Sequence, residues 1–193
     1  MISKKEYAAR RKDLMSMMAD NSIAVIAAAP EKVRSKDTLY PYKQSTNFSY
    51  LSGFSEPCAV MLLIPNRQQG ECVLFCRDKD PLRETWDGLR LGPVEAKQAL
   101  ALDDAFPIDD IDDILPGLLE GKSHIYYSAG KDKAFDKQLI QWVDEVTLDK
   151  ESDSEPCCEQ VDLDHILAEL RLIKSAAEIK LMRKAADISA EAH

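Results

Sequence analysis

Asp103, Asp104, Asp109, Asp110, Asp112 and Asp113 crowd one short stretch of the chain and could gather a cation. A calcium loop needs a glycine at its sharp turn and a bidentate glutamate at its end, and this spacing has neither. Aspartates ahead of a helix and within its first turn accept orphan N–H groups and complement the dipole. The cluster therefore reads as the cap of a helix over 111–119. His124, His165 and His193 lie far apart and read as structural or surface residues rather than ligands of one metal. The neighbours Cys157 and Cys158 lack a second pair at zinc-ribbon spacing, which argues against a metal role. Trp86 stands among Asp87, Gly88, Arg90 and Gly92, where the glycines permit an irregular loop and no apolar periodicity would bury an indole. It is either a satellite core residue or a ring presented for contact.

The elements that must position these residues come from one sizeable core, since 193 residues with 45% hydrophobic content suffice for a domain. The formal charge of −9 repels a phosphate backbone or an anionic membrane, which makes nucleic acid an unsuited partner. Segment 1–18 mixes charges of both signs, unlike a secretory signal, and the apolar run 23–29 is too short to cross a bilayer. Five cysteines is an odd number, and Cys58, Cys72 and Cys76 fall in or beside apolar runs. Cys72 and Cys76, four apart on a strand, would sit about 13 Å from each other, beyond disulfide reach. A reducing, cytoplasmic compartment is expected.

Ser3 and Glu6 have capping-box spacing, and Tyr7, Leu14 and Met18 extend a first helix to about Ala19. The runs 23–26, 58–64 and 72–75 read as strands at the sheet centre, the last two separated by Pro65, Asn66 and Gly70. Helical patterns over 94–102, 111–119 and 132–143, with a strand at 124–127, complete an α/β alternation. The stretch 149–160 is acidic and proline-containing and reads as an exposed connection. Helical patterns follow over 161–172 and from Ser175 onward, where Ser175 and Glu178 form a second capping box. No stop signal precedes His193, so the last helix is expected to belong to a longer protein.

The segment from Arg34 to Pro57 is the most distinctive. Its Tyr40-Pro41-Tyr42-Lys43-Gln44, Phe48-Ser49-Tyr50 and Gly53-Phe54-Ser55-Glu56-Pro57 closely resemble the amino-terminal domain of bacterial aminopeptidase P. Two further segments agree in order: Glu84 to Gly92, and Arg171 to Ser175 leading to Glu178, Ile179 and Arg183. Lys43 departs from the more usual arginine, which would weaken a planar bidentate contact. The aromatic side chains of this stretch read mainly as packing and turn residues, and Arg34 with Asp37 as a local or inter-domain ion pair.

The resemblance implies a mixed β-sheet flanked by helices with a ribonuclease H-like motif, followed by a "pita-bread" catalytic domain. Residues 1–173 would form the amino-terminal domain, with 148–160 as an acidic linker loop, and 174–193 the first helix of the catalytic domain. It also implies a metalloaminopeptidase that releases the residue preceding proline, using two divalent ions, manganese by family habit, held about 3.5–4 Å apart. The ligands belong to the missing domain, so this chain would carry no metal site and no catalytic residue. The bond before proline lacks an N–H, which explains the need for a special pocket. Trp86 resembles the family tryptophan that reaches a neighbouring subunit's active site, so a homo-oligomer acting on proline-containing peptides is implied. Rival readings are a prolidase or creatinase-like hydrolase, and a pseudo-peptidase binding module with an acidic surface.

Overall fold

The computed structural model describes residues 2–148 and 159–193. Of the expected linker 148–160, residues 149–158, with Cys157 and Cys158, lie outside the described residues. Helix α1 (Lys4–Ser16) begins at Ser3, whose Oγ accepts the Glu6 N–H at 3.2 Å, and ends three residues earlier than expected. Only half of the expected capping box forms, because the Glu6 carboxylate turns to Arg10 and to Ser175.

Strand β1 (Ser22–Ala27) is followed by a small exposed hairpin of β2 (Val33–Ser35) and β3 (Thr38–Leu39). A short helix, α2 (Thr46–Ser52), closes on Gly53 in the left-handed region at φ 68°. Strands β4 (Val60–Leu63) and β5 (Cys72–Cys76) come next. Helices α3 (Pro81–Asp87) and α4 (Gly92–Leu100) precede β6 (Asp104–Pro107), α5 (Ile111–Leu119) and β7 (His124–Tyr127). The chain continues through α6 (Lys133–Leu148), β8 (Glu159–Asp162), α7 (Leu163–Leu170) and α8 (Ala176–Ala192).

The main sheet has six strands in the order β6-β5-β4-β1-β7-β8. Neighbours pair in parallel except for β4, which is antiparallel to both β1 and β5. Period-two alternation divides the buried side chains between two faces. Ala24, Ile26, Met61, Leu63 and Leu74 meet Leu14, Phe48, Leu51 and Leu167 on one side. Ile23, Val25, Val60, Leu62, Val73 and Phe75 meet Leu115, Leu139 and Trp142 on the other. Both faces of the central strands are therefore covered, which is why they read as unbroken apolar runs. The expected mixed sheet between helical layers is the observed architecture.

Four local expectations are corrected. Residues 159–162 are an edge strand rather than part of the linker or of a helix from Val161. Residues 104–107 form a strand where only acidic cap residues were expected. Trp86 rides on a helix, not an irregular loop, because Asp80 accepts the Leu82 and Arg83 N–H groups and Pro81 supplies a preset first turn. The stretch 46–52 is also helical, where turn residues were expected.

Candidate functional site

The distinctive motif residues serve the body of the fold as pins. Gln44 Oε1 accepts the Ala29 N–H at 2.8 Å and the Ser45 N–H at 2.9 Å, while its Nε2 donates to the Glu56 carbonyl at 2.8 Å. Tyr42 donates to the Ala29 carbonyl at 3.0 Å, and burial, with Cys58 and Glu31 nearby, pushes its hydroxyl up to about 12. Phe48 and Phe54 enter the core, Lys43 is exposed, and Arg34 lies over the Tyr40 ring at 5.9 Å. Among the described ion pairs Arg34 and Asp37 do not appear together, so in place of the expected local pair Arg34 has a ring contact.

Asp110 and then Asp112 and Asp113 stand at the N-cap and in the first turn of α5, as expected for its dipole, but the side-chain bonds of the cluster go elsewhere than to a helix cap. Asp103 accepts the Glu71 and Cys72 N–H groups, each at 2.9 Å, and closes the start of β5. Asp112 accepts Trp142 Nε1 and Gln138 Nε2, each at 2.9 Å, and so joins α5 to α6. Asp110, at the N-cap of α5, makes no side-chain cap bond. His124 meets Ser123 Oγ at 2.9 Å and Glu159 at 3.5 Å at the sheet edge. Among the described residues no three His, Cys, Asp or Glu side chains converge as metal ligands. The donor set for a two-metal centre is thus not among them.

Two clefts open at the carboxyl end of β1, where α/β sheets commonly take ligands. One, of about 500 Å³, is lined by Glu31, Cys58, Asp109, Asp112 and Trp142. Its thiol is no ready nucleophile: although Cys58 is exposed as a residue, partial desolvation of the sulfur and then Glu31 push its pKa up. The other, of about 230 Å³, lies beside Asn47, Ser128 and Lys131. Those three residues all donate to Asp164 Oδ1, and Arg171 donates to Asn47 at 2.7 Å. Burial raises the Asp164 pKa, but the bonds from Lys131, Ser128 and Asn47 outweigh it and hold the carboxyl below its ordinary value.

Trp86 differs from all of these. The residue is 87% exposed, and α3 has no buried residue. Leu82 and Leu89 beside it are equally bare. The core reading of this indole is therefore excluded, since the other tryptophan, Trp142, is the buried one at 3%. The segment 77–92 forms an arm that leaves the end of β5 and returns at α4.

Residues sequence reasoning missed are the buried arginines of α1. Arg11 is 1% exposed and donates to the carbonyls of Leu51, Leu100 and Ala101. Arg10 lies 4.2 Å from the Tyr50 ring centroid and pairs with Glu6 at 2.8 Å and Glu178 at 3.3 Å. The Glu6 to Arg10 spacing of four was the available signal.

Comparison with known proteins decides the family. Residues 7–126 match the model of the aminopeptidase P N-terminal domain. The chain belongs to the aminopeptidase P N-terminal domain family. Over its whole length it superposes on aminopeptidase PepP of Pseudomonas aeruginosa with a TM-score of 0.95 and 52% identity, covering 43% of that chain. It likewise covers 44% of a zinc-substituted aminopeptidase P of Escherichia coli in complex with product, with a TM-score of 0.94 and 35% identity. A Xaa-Pro aminopeptidase of Haemophilus influenzae is 36% identical over 192 residues, which are 100% of this chain and 42% of that protein. The chain thus spans less than half the length of these relatives.

Proposed function

We propose that the protein is a metal-dependent Xaa-Pro aminopeptidase, and that the residues described here frame its active site without performing the hydrolysis. The observation that carries this reading is the overlay of the entire chain on the aminopeptidase P fold at an identity of 52%. The substrates would be peptides with proline second, and the two divalent ions, manganese in this reading, would be held by residues beyond these. The described residues do not fit such a centre, as their carboxylates and imidazoles are dispersed or already committed.

In this reading residues 1–173 are the amino-terminal domain and 174–193 open the catalytic one. What supports the division is that α8 buries no residue. Its hold on the body is a polar clasp of Ser175 on Glu6 and Glu178 on Arg10. A homo-oligomer would carry Trp86 into a neighbouring subunit's active site, where an indole offers a rigid apolar wall and excludes water at little entropy cost. Its support is a large ring exposed on a helix that buries no residue. A cytoplasmic location fits the free thiols of Cys58, Cys72 and Cys76.

The test supplies the longer protein with a divalent cation and Xaa-Pro-Yaa tripeptides beside Xaa-Pro dipeptides. Release of Xaa from the tripeptide supports the assignment, whereas cleavage of the dipeptide alone points to a prolidase. Trp86→Ala should lower kcat/KM by roughly tenfold or more, the scale of a lost positioning contact.

A further inference from the structure

We propose that Glu56 is a positioning residue that sets the pose of the Trp86 arm. The inference rests on the reading of Trp86 as a wall of the substrate site and adds the element that aims it.

Packing holds the arm only at its returning end, where Leu91 lies against the core, because α3 contributes no side chain to either core layer. At its base the packing of Leu91 is joined by polar contacts. One carboxylate bridges the two ends of that base. Glu56 Oε2 faces Arg77 Nη2 at 3.4 Å on the outgoing side, and Glu56 Oε1 accepts the Leu91 N–H at 2.8 Å on the returning side. Both side chains of the pair are mostly buried, at 16% exposure for Glu56 and 17% for Arg77. The backbone of Glu56 is itself tied to the body through Gln44.

A second brace closes the base from within the arm. Arg90 donates to the Asp78 carbonyl at 3.3 Å and meets Asp87 Oδ2 at 3.4 Å. This brace keeps the arm's two sides together but does not attach them to the sheet. Glu56 does attach them, and it alone reaches both sides, since the packing of Leu91 holds the returning side only. Beyond the base, α3 extends over seven residues, about 10 Å at the helical rise, so a small rotation at Glu56 is magnified at the indole.

The experiment uses the full-length protein with Glu56→Ala, Glu56→Gln, Trp86→Ala and the Glu56→Ala/Trp86→Ala double variant. Amide hydrogen exchange of segment 81–92 and kcat/KM on a Xaa-Pro-Yaa tripeptide are both read. Glu56→Ala is expected to speed exchange by roughly tenfold or more, the loss of a hydrogen bond to a charged acceptor. Glu56→Gln keeps an acceptor for Leu91 and should recover most of the protection. The kcat/KM of Glu56→Ala should fall by roughly tenfold, and that fall should vanish when Trp86→Ala is already present. Should Glu56→Ala fail to fold, Glu56→Asp keeps the charge but is one methylene short of spanning both contacts, and it should loosen the arm in the same way. Unchanged exchange in a variant beside an impaired Trp86→Ala overturns the role of Glu56 alone, as does an equal fall in both backgrounds. An unimpaired Trp86→Ala instead overturns the reading of Trp86, and the catalytic role of Glu56 with it.

Discussion

Replacing Arg11 with methionine should cost about 3 kcal/mol of folding stability, a large part of the 5–15 kcal/mol typical of a domain. The guanidinium has no carboxylate partner among the described ion pairs, and its charge is met by carbonyls at 3.0, 3.0 and 2.8 Å. Leu51 lies in the last turn of α2, and Leu100 and Ala101 lie at the end of α4, so one side chain caps two helix C-termini. Their orphan carbonyls carry the negative end of each dipole, which is what makes a buried lone cation tolerable there. Methionine fills similar volume but leaves three acceptors without this donor. An unpaired buried acceptor costs about 1–3 kcal/mol, and the lower end applies because helix ends admit water. In urea, with a slope of about 2 kcal/mol/M, the midpoint should fall by about 1.5 M. Arg11→Lys should lose about half as much, since a single ammonium cannot reach all three carbonyls. A methionine variant within about 0.5 kcal/mol of the parent would refute the capping account.

Gly53→Ala should be costly for a different reason. Gly53 sits at φ 68° and an added Cβ would meet Tyr7 ring carbons at 2.6 and 2.7 Å, so a loss of about 2–3 kcal/mol is expected, read as a lowered Tm. Asp164 gives a pH dependence of defined sign. Its folded pKa is depressed, so its contribution is complete above the ordinary carboxylate pKa of about 3.9 and is lost as acid titrates the folded state. Asp164→Asn should therefore destabilise the protein at neutral pH and flatten the acid side of a stability profile. An unchanged acid slope would contradict the network.

Much of the fold was legible because the central strands are covered on both faces. The runs through Ile23, Leu62 and Val73 need no alternation to be recognised, only turn residues at their ends. The edges were not legible. In β6, Ala105 and Phe106 stand between an acidic run and a proline, and β8 is polar because an edge strand outside the core has little to bury. For α3 the Asp80-Pro81 start was available, but the flanking glycines and the lack of an apolar stripe favoured a loop. Arg10 and Arg11 escaped because their partners include backbone carbonyls far away in sequence, which no local pattern announces. Of the candidate site, the exposure of Trp86 was half readable from its surroundings. The role of Glu56 in joining Arg77 and Leu91 depends on a crossing that only the fold creates.

The most direct test of the central claim compares the 193-residue chain with the longer protein, each incubated with a divalent cation and a Xaa-Pro-Yaa peptide. The longer protein should release Xaa, and the shorter chain should show no turnover at any cation concentration. Hydrolysis by the 193 residues alone would place the catalytic groups inside the sheet domain and contradict the account.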